Sequence, residues 1–247
     1  MTSIEHTATL YRTLRLNAVS RALEALVASA EDNQLSYLQF AEQLADHECA
    51  ERQRKRIALH RKQAQIPVPK SLDEFDYRHQ TSITKRQVNQ LLDFGFIDNR
   101  ANLIFIGPAG VGKTHLAIGI GQKAIEAGYK VLFTTALGMV ETLELAEIRG
   151  ELKKRIATIA KFDLVIIDEL GYLPMTKSAR FNLFQLVNSL YEYRSVILTT
   201  NKDFTAWADF FHDDNVAVPI VDRLIHHSQI FMLAGESYRL KHKQANR

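Results

Sequence analysis

The sequence has a single cysteine, no proline before Pro67 and no glycine before Gly95. Because Cys49 is alone, no disulfide can form within the chain, and such cysteine usage is typical of the reducing cytoplasm. No apolar run approaches the roughly 20 residues that span a bilayer, and the N-terminus lacks the basic-then-apolar form of a signal peptide. We therefore expect a cytoplasmic protein without a membrane partner.

The scarcity of helix-breaking residues predicts a helical N-terminal region. Apolar residues recur at helical spacing within residues 16–27 and start a second stripe within residues 37–44. Pro67 and Pro69 end this region, because proline cannot continue a helix. We predict a small all-helical domain over residues 1–66 that contacts a partner protein or DNA.

After residue 100 the pattern changes to alternating strands and helices. Five short apolar or β-branched runs are strand candidates: 103–106, 131–135, 164–168, 196–200 and 230–233. Such alternation predicts an α/β fold, a five-stranded and mainly parallel sheet with helices on both faces. We assign residues 101–247 to this domain and residues 67–100 to a connector with a short helix, in which residues 71–74 fit a capping box.

A glycine-rich segment between the first strand and the next helix matches the phosphate-binding pattern G-x-x-x-x-G-K-[ST]. Its residues and the one that follows are Gly107, Pro108, Ala109, Gly110, Val111, Gly112, Lys113, Thr114 and His115. Glycines let backbone N–H groups point at phosphate oxygens, and the helix N-terminus adds positive potential. Lys113 supplies a charge to the outer phosphates, and the Thr114 hydroxyl is a ligand for Mg²⁺. The segment predicts a nucleoside triphosphate site.

Two acids follow the third apolar run, at the strand end where α/β sheets place their ligands. Asp168 would hold Mg²⁺ through water, and Glu169 would polarise the attacking water. A carboxylate at position 169 therefore favours a protein that hydrolyses the nucleotide over one that only binds it. The next strand ends at Asn201, which either contacts the γ-phosphate or the water, or only ends the strand. Spacing does not decide between these two interpretations.

These segments together resemble the AAA+ ATPases, in the branch that contains the replication initiator DnaA and the helicase loader DnaC. Within it, the chain is most similar to the IstB-like transposition helper ATPases, which insertion sequences encode beside their transposase. The resemblance covers nearly the whole chain and rests on five strings: Leu72-Asp-Glu-Phe-Asp76, Gly112-Lys-Thr-His-Leu-Ala117, Asp168-Glu-Leu-Gly-Tyr-Leu-Pro174, Asp222-Arg-Leu-Ile-His226 and Gly235-Glu-Ser-Tyr-Arg239.

The resemblance implies ATP hydrolysis with Mg²⁺ in an ATP-dependent homo-oligomer. Asn201 matches sensor 1, and Arg239 matches the sensor 2 arginine, which acts in the subunit that binds the nucleotide. Arg223 matches the arginine finger, which reaches the γ-phosphate of a neighbouring subunit; without the resemblance, each arginine reads as a surface ion pair. The sequence departs from the family at Pro219, where an alanine-rich helix is expected, and in having almost no lid domain after Arg239.

Charge blocks give two candidate DNA surfaces, although the net charge is only +3. In the initiator branch an extra helix after the second strand faces nucleic acid, and here it maps to residues 137–155. The basic residues of these two surfaces are Arg149, Lys153, Lys154 and Arg155 in the extra helix, and Arg52, Arg54, Lys55 and Arg56 near the N-terminus. The first set could instead be a solvated helix face, and the second could be the exposed face of an N-terminal helix bundle that docks a protein. With no base-reading motif visible, we expect duplex DNA to be bound through its backbone, with weak sequence preference and strong salt dependence.

Four functions fit these features to different degrees. The first is a transposition helper that assembles on DNA with ATP and assists a transposase. The second is a DnaC-like loader of a replicative helicase, and the third is a nucleotide-gated DNA-binding protein with negligible turnover. A small-molecule P-loop kinase fits least, because the acid pair suits water activation and no substrate lid is evident.

Overall fold

The computed structural model describes residues 3–171, 176–203 and 214–245. Residues 172–174 of the third string therefore lie outside the described residues. The chain divides into two compact units, Met1–Leu59 and His60–Arg247. No helix in the described part of the chain combines the length and hydropathy needed to cross a membrane.

The first unit is helical. Its helices are α1 (Ser3–Thr13), α2 (Asn17–Asp32) and most of α3 (Tyr37–Gln63). Leu16 precedes α2 and has no side chain that could cap it, so the buried Glu48 of α3 does so instead. Its carboxylate accepts the N–H groups of Ala18 at 2.8 Å and Val19 at 3.1 Å. Burial opposes its ionisation, but Arg52 and the two N–H groups leave the pKa of Glu48 below its usual value.

The connector contains more structure than the single short helix predicted. It holds a 3₁₀ turn (Leu72–Glu74), α4 (Lys85–Leu91) and α5 (Gly95–Asp98). The predicted capping box is wrong, because the Ser71 hydroxyl accepts the N–H of Asp73 and a 3₁₀ turn follows. A capping box does form at Thr84 and Gln87, where each side chain accepts the other residue's backbone N–H.

A five-stranded parallel sheet forms the centre of the second unit, as predicted. The strands are β1 (Asn102–Ile106), β2 (Val131–Thr135), β3 (Leu164–Leu170), β4 (Ser195–Thr200) and β5 (Ser228–Met232), in the order β2-β3-β4-β1-β5. The helices are α6 (Lys113–Glu126), α7 (Ala136–Ile148), α8 (Leu152–Ile159), α9 (Lys177–Leu190), α10 (Asp214–His226) and α11 (Tyr238–Ala245). The predicted α/β class, with helices before it, is confirmed.

Helices cover both faces of the sheet, which explains why its central strands are continuously apolar. Ile104 and Ile106 of β1 belong to a core that α7, α8, α9 and α10 close. On the opposite face, Gly121 of α6 lies against Ile166 and Val131. Because all five strands are parallel, their carboxyl ends meet at one edge of the sheet.

The single helix predicted over residues 137–155 is two helices, α7 and α8. They are separated at Gly150, whose φ of +69° is left-handed and strained for residues with a side chain. The prediction missed this break because the charged residues on either side keep a helical spacing.

Candidate active site

The carboxyl ends of β1, β3 and β4 surround a cavity of about 430 Å³. The predicted site residues that line it are Ala109, Gly110, Val111, Gly112, Lys113, Thr114, His115, Glu169, Asn201 and Arg239. Gly107 and Pro108 begin the same loop, and Asp168 is hydrogen-bonded to Thr114. The structure therefore brings together every predicted catalytic or nucleotide-binding residue except Arg223.

Lys113 begins α6 and folds back over the loop that precedes it. Its ammonium donates to the carbonyl oxygens of Gly107 and Pro108, both at 2.7 Å. Burial lowers the pKa of Lys113 from its usual value, although the Asp168 and Glu169 carboxylates oppose this shift. A bound triphosphate would give the Lys113 ammonium a negatively charged partner, which the two neutral carbonyls are not.

Asp168 is buried at the end of β3 and is held by two hydroxyl groups. The Thr114 hydroxyl donates to its two carboxylate oxygens at 2.9 and 3.1 Å, and Thr199 of β4 donates to Oδ1 at 2.5 Å. These are hard oxygen donors, the kind that Mg²⁺ prefers. The described residues contain no cluster of three or more His, Cys, Asp or Glu side chains that could hold a metal ion. The Thr114 hydroxyl and the Asp168 carboxylate are fewer ligands than Mg²⁺ takes, so this donor set fits an ion that phosphate oxygens also bind.

Glu169 owes its position to a β-bulge. Asp168 and Glu169 face Thr199 alone, because the pairing with β4 shifts between Ile167 and Leu170. Glu169 adopts a left-handed φ of +64°, a conformation that costs about 1–3 kcal/mol in a residue with a side chain. Its N–H donates to the Thr199 hydroxyl at 2.9 Å, so one threonine fixes both acids. The bulge turns Glu169 towards the cavity while Asp168 stays buried.

Asn201 and Arg239 approach the cavity from different elements. The end of β4 is fixed because Thr200 donates to the Leu170 carbonyl at 2.7 Å and accepts the N–H of Lys202 at 3.0 Å. The buried Oδ1 of Asn201 has no hydrogen-bond partner among the described residues, which leaves its amide available to a ligand or water. Arg239 is exposed in the first turn of α11 and lines the same cavity.

Arg223 lies at the other edge of the sheet. The carbonyl of its neighbour Leu224 accepts a hydrogen bond from the side chain of Asn102, the first residue of β1. The phosphate-binding loop follows Ile106, the last residue of the same strand. The five-residue strand between them is about 16 Å long at roughly 3.3 Å per residue. Arg223 is therefore far from the cavity of its own chain.

Aromatic rings hold the Arg223 guanidinium. It lies over Phe184 and Tyr191, at 5.3 and 5.8 Å from the ring centroids, and Nη1 donates to the Pro219 carbonyl at 3.0 Å. Its Nε is buried without a partner among the described residues. The helix continues through Pro219, so this departure from the family pattern does not end α10 before Arg223.

The four basic residues predicted as DNA contacts in the N-terminal region all lie on α3: Arg52, Arg54, Lys55 and Arg56. Arg52 is engaged in the structure of its own unit, since it donates to Glu48 at 2.8 Å and to the Arg15 carbonyl at 2.7 Å. Arg54 pairs with Glu51. These ion pairs reduce the charge that α3 can present to a phosphate backbone.

The basic residues predicted in the extra helix lie around the break between α7 and α8. Arg149, Lys154 and Arg155 line a cleft of about 330 Å³ between these helices, whereas Lys153 does not. The Nε of Arg155 is buried without a partner among the described residues, and Lys154 is 3.3 Å from Glu151. Sequence reasoning missed the cleft because it treated the segment as one helix.

Sequence reasoning also missed that the connector forms one wall of this cavity. Phe75, Asp76 and His79 line it. The phosphate-binding loop is tied to this wall by His115, whose Nε2 lies 2.6 Å from the Ser71 carbonyl and whose ring contacts Phe75 at 5.4 Å. The string at residues 72–76 marked this segment in the sequence, but the spacing of its residues did not indicate that the segment borders the cavity.

Solved structures with a similar fold define the class. The crystal structure of the DnaC helicase loader matches with a TM-score of 0.53 and 19% identity, over 67% of this chain and 93% of that chain. AMPPCP-bound DnaA from Aquifex aeolicus matches with a TM-score of 0.56 and 20% identity, over 71% of this chain and 54% of that chain. The fold is that of the P-loop AAA+ proteins.

Sequence relatives define the family within this class. The family described as IstB-like ATP binding protein matches residues 9–246. The protein named as the ATP-binding protein of insertion sequence IS5376 from Geobacillus stearothermophilus is 40% identical, over 94% of this chain and 92% of the relative. Its counterpart of insertion sequence IS21 from Pseudomonas aeruginosa is 38% identical, over 94% of this chain and 87% of the relative. The chain belongs to the IstB-like ATP binding protein family, as the sequence strings predicted.

Proposed function

We propose that this chain is a cytoplasmic, ATP-hydrolysing DNA-binding protein that assembles into oligomers on DNA and assists a transposase in target selection and strand transfer. The observation that carries the proposal is the convergence of Lys113, Thr114, Asp168 and Glu169 on one cavity, in a chain whose relatives are named insertion sequence ATP-binding proteins. Their names supply the transposition context, and the cavity supplies the chemistry.

The chemistry proposed for the cavity is in-line attack of water on the γ-phosphate of ATP. The loop N–H groups and Lys113 bind the phosphates. Thr114, and Asp168 through water, would hold Mg²⁺, which would supply positive charge against the phosphate oxygens. Glu169 orients the attacking water and accepts its proton. Asn201, whose amide oxygen has no partner in the described part of the chain, orients that water or contacts the γ-phosphate.

The transposase role is tested by strand transfer. Mixing this chain, ATP and Mg²⁺ with an insertion-sequence transposase should increase the insertion of donor ends into target DNA. Lys113→Ala should remove this stimulation, because the loop then lacks its cation for the triphosphate. Equal product with and without the chain would contradict the role, and ATP-dependent loading of a replicative helicase in a parallel assay would support the loader function instead.

We place the main DNA contact at the cleft between α7 and α8. The cleft carries Arg149, Lys154 and Arg155, and the buried Arg155 Nε lacks a partner among the described residues, so a phosphate oxygen would satisfy a donor that is otherwise unpaired. The α3 set is a weaker candidate, because both Arg52 and Arg54 are paired with carboxylates, whereas in the cleft Lys154 is paired but the buried Arg155 Nε has no partner in the described part of the chain.

Substitutions in this cleft should change the salt dependence of DNA binding. Arg155→Ala and Lys154→Ala should each weaken binding to duplexes of any sequence and lower the slope of log K against log salt by about one. Fluorescence anisotropy over a salt series measures both, with Lys85→Ala on α4 as a matched surface control. Unchanged slopes in both cleft variants would mean that the cleft is a solvated surface.

A further inference from the structure

Arg239 reaches the nucleotide cavity from a helix that cannot hold itself in place. Helix α11 has eight residues, and a helix this short is not stable alone in water. Something else must therefore fix the segment 233–239 against the cavity. The contacts of this segment identify what does so.

Gln80 of the connector joins this segment to the phosphate-binding loop. The residue is only 3% exposed, and its Nε2 donates to the carbonyl oxygens of Val111 at 3.1 Å and Ala234 at 3.0 Å. Its Oε1 accepts the N–H of Ser82 at 2.9 Å, which fixes the orientation of the amide. A single buried amide thus links the connector, the loop and the C-terminal segment.

Three further contacts hold the C-terminal segment in the same place. The Ala234 N–H donates to the Ser82 hydroxyl at 3.0 Å, and His79 Nε2 lies 3.0 Å from the Glu236 carbonyl. The N–H of Tyr238, the residue before Arg239, donates to the Gly110 carbonyl at 3.1 Å. A Cβ on Gly110 would lie 2.1 Å from the Ser237 hydroxyl oxygen, so the segment lies directly on the loop.

We infer that Gln80 is a positioning residue that presents Arg239 to the bound nucleotide. The inference rests on the proposed function in one respect, that Arg239 acts on the nucleotide. The Val111 carbonyl belongs to the loop that cradles the phosphates, and the Ala234 carbonyl lies five residues before Arg239. Because one Nε2 donates to both, the loop geometry and the position of Arg239 are coupled.

A double-mutant cycle between Gln80 and Arg239 tests the coupling. Gln80→Met keeps the length of the side chain and removes its donors. Arg239→Ala should lower turnover at least about tenfold in the wild-type background but less than about threefold in the Gln80→Met background, because contacting residues are not additive. Turnover and the Kd of a fluorescent ATP analogue are measured for all four proteins, with melting temperatures recorded alongside.

Gln122→Met is the matched control. Gln122 of α6 accepts the Lys70 N–H at 3.0 Å, so it also ties the connector to the helix that follows the loop, but it has no hydrogen bond to the described C-terminal segment. Arg239→Ala should keep its full effect in this background. If Gln80→Met does not fold, Ser82→Ala replaces it in the cycle, since it removes the hydroxyl that accepts the Ala234 N–H.

If Arg239→Ala lowers turnover by the same factor in the wild-type and Gln80→Met backgrounds, the inference is overturned and Gln80 is a purely structural residue. Unchanged turnover and ATP affinity in Arg239→Ala would also overturn the inference. If Lys113→Ala still loses ATP binding in that case, the proposed ATPase function is not contradicted. If the wild type binds ATP but does not hydrolyse it, the proposed hydrolysis is wrong. The coupling between Gln80 and Arg239 is then tested by the Kd values of the four proteins alone.

Discussion

Glu169→Gln is expected to bind ATP with an affinity close to that of the wild type and to hydrolyse it about 10²–10⁴-fold more slowly. Glutamine has nearly the same volume, and the hydrogen bond from the backbone N–H of residue 169 to Thr199 does not involve the side chain. The bulge should therefore persist, with Asp168 still hydrogen-bonded to Thr114. What is lost is the carboxylate that we propose as the acceptor of the proton of the attacking water.

Single-turnover hydrolysis and equilibrium ATP binding, each with and without duplex DNA, separate this expectation from its alternatives. Lys113→Ala is the comparison variant, because it should lose binding itself rather than only the chemical step. Wild-type turnover in Glu169→Gln would show that Glu169 is not the base. Negligible turnover in both proteins, with DNA binding still controlled by ATP, would favour the nucleotide-gated DNA-binding protein.

The parts of the site that the sequence predicted are those set by short-range patterns. The glycine spacing of residues 107–114 and the two acids after an apolar run depend on neighbours along the chain, and the parallel sheet brings both to one edge. The bulge could not be predicted in this way. Thr199 and Glu169 are thirty residues apart, and their contact depends on a register shift that no local pattern records.

Contacts between distant segments account for the other differences. Gln80 gives no signal in the sequence, because a lone glutamine in a polar stretch is usually exposed, yet it is almost fully buried between two backbone carbonyls. The break at Gly150 has a local cause instead: the glycine was visible in the sequence, but the helical spacing of the charged residues around it favoured a single helix. The family strings marked residues 72–76 and 235–239, and only the fold revealed that both border one cavity.

Arg223→Ala should reduce hydrolysis by about 10³–10⁵-fold if the arginine serves as a finger, and the loss should be repairable by a second subunit. Arg223 cannot reach the nucleotide of its own chain, since it lies beside the first residue of β1 and the loop follows the last. A guanidinium held on Phe184 and Tyr191 at the opposite edge of the sheet is instead suited to face the cavity of a neighbour.

Mixing two inactive variants distinguishes action between subunits from action within one. Glu169→Gln subunits keep Arg223 but lack the base, whereas Arg223→Ala subunits keep the base but lack the finger. In an equimolar mixture that assembles at random, about one quarter of the head-to-tail interfaces join an intact cavity to an intact arginine, so up to about one quarter of wild-type turnover should return. Turnover no higher than that of the separate variants, from mixtures whose co-assembly is verified by mass, would contradict the trans role. Recovery would in turn require an oligomer in which the opposite edges of neighbouring sheets meet.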